Sequence, residues 1–506
     1  MNYLCTHSLS SILAILALAG LVISLFNLDE VKARYTSLVA SLLVLGITIK
    51  QYTCLFDPSI KELQMVESYK WVGPINFSLG VDGLAYSMVL LMAILLPCAV
   101  IASKPIAQKQ KPRLYYSLLM FLSLAVMAVF MAKDIFLFFL AWELELVPMY
   151  LLIAIWGSKN RNYASMKFML YTFAAGILLL IGLFILLMNT GFATFDMVEL
   201  AKASMNLAPQ IQSVIFILVA LCFIIKLPSV PLHTWLPDAH VEAPTPVSML
   251  LAGILLKMGC YGLVRFGLGF FPAVLVKLAP AIAILAVINI IYGAYAALVQ
   301  TDLKKIVAYS SISHMGFILL GLAALNTAGY SGAVFQMFSH GLISAALFMI
   351  VGMLYERTHT RDIGEYGGLA KVMPQTFFIS LIAVMANLGL PGLSGFVGES
   401  LVFYGAFSSV NLSASLDYVR ISAAVATLGV IITAGYMLWM NQRVFYGETP
   451  SSWLKLKDAR RDEILVLAVL IGLSLLYGVY PKLISEIFEP QLVASAQSIA
   501  SLFITK

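Results

Sequence analysis

Eight ionisable side chains stand inside stretches of sequence that are otherwise almost entirely apolar. They are carboxylates, lysines and histidines spread over the middle of the chain: Glu143, Glu145, Lys167, Lys226, Lys257, His314, His340 and Glu399. A charge at the centre of a bilayer costs at least about 2.5–3.5 kcal/mol. Residues of these types therefore persist there mainly for a function or for a partner, and the series predicts a proton path.

A lysine and a carboxylate can pass a proton on because each affects the charge of the other. Desolvation lowers the pKa of a buried lysine toward about 5–6, and a nearby carboxylate raises it again. Moving the carboxylate away therefore turns such a lysine into a proton donor. Histidine titrates near neutrality with little perturbation, which suits it to bridge two such groups.

Several of these residues also have a structural interpretation. Glu143 could be held in a permanent ion pair, and Glu145 lies about 200° round a helix from it, so the two need not share a role. Lys167 stands near the end of its apolar stretch and could extend to the membrane interface. His314 and His340 could be core histidines that are hydrogen-bonded to carbonyls.

Glu143 and three further residues favour the functional interpretation. Lys226 immediately precedes a proline-rich interruption, and Lys257 lies eleven residues into an apolar stretch, too deep for easy contact with the interface. Glu399 follows Gly395 by four residues, just past a second interruption, although a structural role remains an alternative for it.

The composition shows what must position these side chains. The chain has 506 residues, of which only 11% are charged, against about 25% in an ordinary soluble domain. Its apolar fraction is 61% and its mean hydropathy is +0.95. The sequence therefore predicts an all-α polytopic membrane protein and excludes a soluble enzyme with one anchor.

We predict fourteen membrane spans, each close to the 20 or so apolar residues that a crossing helix needs. They are residues 8–27, 36–54, 83–103, 114–132, 135–156, 163–189, 211–232, 246–268, 279–300, 305–323, 331–355, 376–409, 418–443 and 463–486. Residues 56–82 form an extramembrane loop that could hold a hairpin. No Lys or Arg precedes Lys32, so the first span reads as a retained helix rather than a cleaved signal peptide.

Two predicted spans are interrupted. Pro228 and Pro231 fall in the seventh, and Pro391 and Gly392 fall in the twelfth. Broken backbone at membrane depth is tolerated only when it is buried in protein or lines a wet cavity. Paired breaks five spans apart are typical of transporters built from inverted repeats. We therefore divide the chain into helices 1–3 (residues 1–113), a first repeat of helices 4–8 (114–268), a second of helices 9–13 (269–445), and a connector with helix 14 (446–506).

The distribution of basic residues predicts the orientation. Counted with the adjoining ends of the spans, the loops after odd-numbered spans carry 18 Lys and Arg, and the opposite loops with the C-terminus carry 10. The positive-inside rule then places both termini on the periplasmic or lumenal side.

The cysteines and glycines suggest no redox or nucleotide site. The cysteines are scattered and neighbours are at least 38 positions apart, which argues against an iron–sulfur, zinc or disulfide framework: Cys5, Cys54, Cys98, Cys222 and Cys260. The sequence contains no Walker A motif, and Gly267 and Gly269 lack the context of a dinucleotide fingerprint.

Four segments resemble a known family. They read FLAWELELVPMYLLIAIWG at 139–157, KLPSVPLHTWLPDAHVEAP at 226–244, LAGILLKMG at 251–259 and YSSISHMGF at 309–317. Together they are similar to the antiporter-like subunit 4 family of proton-pumping NAD(P)H:quinone oxidoreductase, complex I. The resemblance covers roughly residues 80–445, and the motifs are specific.

The resemblance implies fourteen helices with inverted repeats and broken helices 7 and 12. By motif, Glu143 looks like the glutamate of helix 5 and Lys226 like its lysine partner in helix 7. Lys257 looks like the central lysine, His314 like a bridging histidine and Glu399 like the terminal acid. Related subunits usually have lysine in that last position, so the glutamate favours subunit 4. The auxiliary positions are Glu145, Lys167, His233 and His340.

The run of residues 142–148 looks closer to cyanobacterial and plastid members than to proteobacterial or mitochondrial ones, whereas residues 241–246 depart from the commonest plastid wording. The complexes that contain the cyanobacterial and plastid members take electrons from ferredoxin and reduce plastoquinone, and some of these complexes are specialised for CO2 uptake. The resemblance implies a bacterial inner membrane or thylakoid location and no cofactor or metal in this chain. NAD(P)H or ferredoxin, iron–sulfur clusters and quinone would act in partner subunits, which include other antiporter-like subunits.

The sequence thus predicts a proton-translocating membrane-arm subunit, part of an oxidoreductase without its own redox centre. Two alternatives stay open at this point. One is a subunit of a multisubunit cation/proton antiporter or membrane hydrogenase with the same fold, and the other is a scaffold that moves no protons.

Overall fold

Long apolar helices make up most of the chain, and a computed structural model describes residues 7–108, 110–409 and 417–504. Cys5 and the two ends of the chain lie outside the described residues. The first helices are α1 Ser8–Leu25, α2 Glu30–Cys54, α3 Gly83–Ala102, α4 Lys104–Ala107, α5 Pro112–Met131, α6 Ile135–Leu144, α7 Leu146–Trp156, α8 Arg161–Asn189, α9 Met197–Ser204 and α10 Pro209–Lys226. The later helices are α11 Trp235–Glu242, α12 Thr245–Leu250, α13 Leu256–Gly269, α14 Pro272–Leu298, α15 Leu303–Ala323, α16 Thr327–Thr358, α17 Pro374–Asn387, α18 Ser394–Phe407, α19 Asp417–Phe445, α20 Arg461–Val479 and α21 Lys482–Ile504.

The prediction of an all-α polytopic membrane protein is confirmed. Within the described residues, 13 helical segments are long and apolar enough to cross a membrane, when α6 with α7 and α12 with α13 are each taken as one. The predicted twelfth span instead forms α17 and α18, of 14 residues each. The inverted repeats stay a prediction.

The loop at 56–82 folds into an antiparallel hairpin. Its strands are β1 Gln64–Val72 and β2 Ile75–Val81. Gly73 stands in the turn with φ +56°, a left-handed conformation that glycine adopts without steric cost.

Aspartates begin several helices where the chain enters an apolar stretch. Asp82 accepts a hydrogen bond from an N–H of the first turn of α3, and Asp134, Asp196 and Asp302 do the same for α6, α9 and α15. Each aspartate pairs with N–H groups that the first helical turn leaves without intrahelical partners. These caps set where the apolar helices start.

The helices form two compact units. One contains residues Met1–Leu227, Ile254–Leu278 and Glu486–Lys506, and the other contains Pro228–Gly253 and Ala279–Ser485. In the first unit α10 packs against α8 and α13. In the second unit α16 is buried along its length and packs against α15, α18 and α20.

Two helices end where the sequence predicts interruptions. Helix α10 ends at Lys226, and in the second unit the side chain of Asn289 accepts the backbone N–H of Val230 at 2.8 Å and donates to the Ser229 hydroxyl at 2.9 Å. Between α17 and α18, Gly389 and Gly392 have φ of +70° and +92°. Side-chain bonds of this kind replace the backbone bonds that a broken helix loses.

Two further irregularities are absent from the sequence prediction. Glu145 separates α6 from α7, three residues before Pro148, which has no N–H to offer the preceding turn. A π-helical turn, Leu251–Leu255, precedes α13 and ends two residues before Lys257. π-turns are rare and occur often at functional sites.

Candidate proton-transfer site

Lys226 and Glu145 form a buried ion pair in the first unit. The Lys226 ammonium donates a hydrogen bond to Oε1 of Glu145, and the two side chains are 1% and 0% exposed. Lys226 is the last residue of α10, and Glu145 occupies the junction between α6 and α7. The rings of Trp142 and Phe168 flank the ammonium, with centroids 5.8 and 5.4 Å from Nζ. The pair is therefore shielded by aromatic side chains.

Glu143 lies beside this pair without joining it. It is half-buried, and among the described residues its Oε1 accepts no hydrogen bond. Its carboxylate rests against Gly176 of α8, where a Cβ would collide with it. Both glutamates remain within electrostatic range of Lys226.

The direct partner of Lys226 thus differs from the expected one. The sequence motif assigns Lys226 to Glu143, and the structure places the ammonium on Glu145. Positions two apart on a helix are separated by about 200°, and here Glu145 is fully buried whereas Glu143 is half-buried. Glu145 therefore lies on the side of the helix that faces the end of α10.

Lys257 is fully buried in α13, two residues before a glycine that touches the end of α10. A Cβ added to Gly259 would lie 2.7 Å from the carbonyl oxygen of Phe223 and 2.8 Å from the amide nitrogen of Leu227. The glycine therefore lets the two helices touch beside Lys226. Lys257 lies about 200° round the helix from Gly259, so a proton passing from Lys226 to Lys257 needs intermediate groups or water.

In the second unit His314 and Glu399 are adjacent. Nδ1 of His314 lies 3.3 Å from Oε1 of Glu399 and 3.3 Å from Nε2 of Gln336. The ring of His340 lies 5.5 Å from the ring of His314, between centroids. These groups are buried in α15, α16 and α18. The structure therefore brings together the predicted histidines and the terminal acid.

The break between α17 and α18 shapes the surroundings of Glu399. A Cβ on Gly389 would lie 2.7 Å from Oε2 of Glu399. At the start of α18, Ser394 accepts a hydrogen bond from Ser339 at 2.7 Å and shares a hydrogen bond with Ser474 of α20 at 2.8 Å. A line of buried hydroxyls thus accompanies the break.

The remaining predicted positions are Lys167 and His233. Lys167 of α8 is half-buried, and its Nζ lies 5.6 Å from the centroid of the Tyr163 ring. His233 belongs to the second unit, with its ring centroid 5.0 Å from that of Tyr292.

Residue types and hydropathy alone miss a polar cluster of three elements in the first unit. Arg265 of α13 donates two hydrogen bonds to the Asp82 carboxylate, one of them 2.9 Å long, and Gln491 of α21 donates to the same carboxylate at 2.6 Å. A cavity of about 630 Å³ lies beside them and is also lined by Lys133 and Asp196, which form an ion pair of 2.8 Å. The positive-inside count treats Arg265 as a topology residue, although its apolar neighbours mark it as buried.

Arg265 determines the charge of Asp82. Burial alone would raise the pKa of Asp82, but the Arg265 guanidinium and the hydrogen bonds from Ala85 and Gln491 hold that pKa below its usual value. Asp82 is therefore ionised at any physiological pH, and the pair serves structure rather than proton exchange.

A second cation that the sequence prediction misses is Lys304 at the start of α15. It is 3% exposed, and its ammonium donates to the carbonyl of Ala243 at 2.6 Å. Nearby in the same unit, Asp302 and Arg361 form an ion pair of 3.1 Å. Among the residues that the structure describes, no group of three or more His, Cys, Asp or Glu side chains could hold a metal ion.

Comparisons with known proteins agree with this arrangement. The family described as "NADH:quinone oxidoreductase/Mrp antiporter, TM" matches residues 132–424. The chain is 44% identical to NAD(P)H-quinone oxidoreductase chain 4 1 of Synechococcus elongatus over 497 residues, which cover 97% of this chain and 92% of the relative. It is 41% identical to chain 4 3 of Picosynechococcus, covering 97% and 95%.

Solved structures show the same fold. Respiratory complex I from Thermus thermophilus contains a chain that matches with a TM-score of 0.87 at 26% identity, covering 97% of this chain and 99% of the other. A chain of the Mrp complex from Dietzia matches with a TM-score of 0.85 at 20% identity and covers 99% of both chains. At that identity the second likeness concerns the fold alone.

Proposed function

Because the chain belongs to the NADH:quinone oxidoreductase/Mrp antiporter membrane family, and within it to the cyanobacterial NAD(P)H-quinone oxidoreductase chain 4 type, we propose that it translocates protons through its two buried charge clusters. It is a multi-pass membrane subunit whose relatives belong to an oxidoreductase complex. The predicted family is thereby confirmed.

The single observation that carries the proposal is the buried ion pair of Lys226 and Glu145. The attraction within a buried ion pair seldom exceeds the free energy that desolvation of its two charges costs, so such a pair contributes little net stability. Intramembrane ionisable groups that are paired with each other are instead the usual components of proton relays. The cluster of His314 and Glu399 gives the second unit a comparable set of exchangeable groups.

The proposed path runs from the first cluster to the second. Quinone reduction in partner subunits shifts Glu143 relative to Lys226, so that the Lys226 ammonium loses electrostatic support and releases a proton. The proton passes to Lys257, then through water to His314, and leaves by way of Glu399. Each step transfers a proton between groups of the protein and involves no bond other than those to hydrogen.

The setting of this path extends the same proposal. The donor is NAD(P)H or ferredoxin, the acceptor is a quinone such as plastoquinone, and the iron–sulfur clusters belong to partner subunits. The membrane is a bacterial inner membrane or a thylakoid, with both termini on the periplasmic or lumenal side. Other antiporter-like subunits are the expected neighbours.

Replacing Lys226 by alanine tests the proposal. Membrane vesicles carrying the assembled complex should lose quinone-linked proton pumping, because the cluster then has no cation to release its proton. The matched control is Lys277→Ala, which removes an exposed lysine of the same unit and should pump normally. Full pumping by an assembled Lys226→Ala complex would refute the proposal and would favour a scaffold.

A cation/proton antiporter is the second candidate, supported by the family description and by the Mrp-like fold. The identity of 41–44% to quinone oxidoreductase chains over nearly the whole sequence favours the first candidate. Sodium-dependent pH gradients in the same vesicles without quinone turnover would reverse this preference.

A further inference from the structure

The junction inside the fifth predicted span contains a charged residue with no assigned role. Helix α6 ends at Leu144, α7 begins at Leu146, and Glu145 stands between them. Pro148 cannot donate a backbone hydrogen bond to the carbonyl of Leu144, so the regular bonding pattern fails at this point. The interruption falls at Glu145, whose backbone keeps helical dihedral angles of φ −68° and ψ −23°.

The contacts of Glu145 are those of a fixed counter-ion. Its side chain is fully buried, and Oε1 accepts a hydrogen bond from the Lys226 ammonium. Its Oε2 accepts no hydrogen bond from the described residues. Without Lys226, this carboxylate would be an uncompensated charge in the apolar interior, and the same holds for Lys226 without Glu145.

Glu143 differs in each of these respects. It is half-buried rather than buried, it makes no direct contact with Lys226, and its Oε1 also lacks a hydrogen-bond donor among the described residues. An ammonium has three N–H donors, so Lys226 can serve a second carboxylate while it remains bound to the first. With Lys226 as an ammonium and both glutamates as carboxylates, the three groups carry a net charge of −1, so together they can accept one proton.

From this asymmetry we propose that Glu145 is the positioning residue that holds Lys226 at the end of α10, and that Glu143 is the carboxylate that exchanges protons with it. When Lys226 gives its proton toward Lys257, the protonated Glu143 returns one to the Lys226 amine and becomes a carboxylate. Glu145 stays ionised throughout. The inference rests on the proposed function, since it assigns separate roles to the two acids beside the same lysine.

The two acids should respond differently to neutralisation in the assembled complex. Glu145→Gln leaves Lys226 without its buried partner, so the amount of assembled complex should fall and most pumping should be lost. Glu143→Gln should assemble normally and lose most pumping. The matched control is Glu489→Gln, which neutralises an exposed glutamate of α21 and should change neither quantity.

A second substitution separates a positioning role from a general loss of folding. Glu145→Gln combined with Lys226→Met removes both buried charges, so assembly should recover relative to Glu145→Gln alone although pumping stays absent. Adding Lys226→Met to Glu143→Gln should instead lower the amount of assembled complex, because Glu145 then loses its buried partner. Low assembly of the Glu145→Gln, Lys226→Met variant together with normal assembly of the Glu143→Gln, Lys226→Met variant would overturn the assignment.

The pH profile supplies a measurement that a purely structural acid would not change. Glu145→Asp keeps the charge but draws it back from Lys226. The alkaline limb of the pumping profile should then move to lower pH by about one unit, which corresponds to a tenfold weaker hold on the proton. An unchanged pH profile in Glu145→Asp together with wild-type pumping in Glu145→Gln would contradict the role of Glu145 and leave the proposed function unaffected. Normal pumping by Lys226→Ala would instead remove both.

Discussion

Substituting alanine for Gly259 would test whether the contact between α13 and the end of α10 sets the position of Lys226. The new Cβ would lie 2.7 Å from the carbonyl oxygen of Phe223 and 2.8 Å from the amide nitrogen of Leu227. Ordinary contact begins at 3.4 Å, so the two backbones must separate by about 0.7 Å, and overpacking of this kind costs roughly 1–3 kcal/mol. Neither neighbour is a flexible side chain that could turn away.

The displacement should affect function more than stability. Misplacing a reacting group by about 1 Å can lower a rate about 100-fold, so we expect Gly259→Ala to reduce pumping by about tenfold or more while the complex still assembles. The assay is quinone-driven acidification of membrane vesicles, normalised to assembled complex, with a thermal denaturation curve alongside.

A glycine in the same helix provides the control. Gly269 also belongs to α13, and a Cβ there would meet nothing within 4 Å. Gly269→Ala should therefore pump normally and should melt no earlier than the wild type. Wild-type pumping and melting in Gly259→Ala would show that the end of α10 tolerates displacement, and the geometric argument for Lys226 would fail.

Two further predictions concern Asp82 and Gly389. Asp82→Asn leaves Arg265 without its counter-ion, which should cost about 3–5 kcal/mol, and Arg265→Met added to it should recover part of the loss in thermal denaturation. The pKa of Asp82 is held below its ordinary value of 3.8. The stabilisation by this pair should therefore be fully present above pH 3.8 and be lost only as the pH falls through the lower pKa of the folded state. Melting curves that show a loss of stability beginning near pH 6 would contradict this. Gly389→Ala places a Cβ 2.7 Å from Oε2 of Glu399, whereas the Cβ of Gly392→Ala meets nothing within 4 Å. Both glycines have a left-handed backbone, so both variants carry similar backbone strain. Only Gly389→Ala should therefore lower pumping beyond the effect of strain, and equal pumping by vesicles with either variant would refute the contact with Glu399.

The sequence is sufficient to find most of the buried charges. Lys226 and Lys257 stand out because a lysine within an apolar stretch of about 20 residues is costly unless it has a function or a partner. Pro228 marks the end of a helix because it lacks a backbone N–H donor. The same reasoning does not show which acid a lysine touches. That depends on which side of the helix packs against the end of α10, and the residue types of Glu143 and Glu145 do not reveal it.

Other contacts depend on tertiary structure that hydropathy does not record. The predicted last span ends at residue 486, whereas α21 extends to Ile504 and brings Gln491 to Asp82. These residues are 409 positions apart, so no local pattern connects them. The count of basic residues groups Arg265 with the loop charges because it lies near the end of the predicted span 246–268, although the structure pairs it with Asp82.

The energetics of a buried pair explain why two acids beside Lys226 are useful. Two opposite charges about 4 Å apart attract by about 4 kcal/mol at an effective dielectric constant of 20. A step that separated Lys226 from Glu145 with no other acceptor nearby would add a barrier of that order, which slows a reaction about 1,000-fold. The division of roles between the two acids avoids this separation, because Glu145 stays beside Lys226 while Glu143 supplies the proton that replaces the one released. Lys226 can therefore be reprotonated without leaving its buried partner.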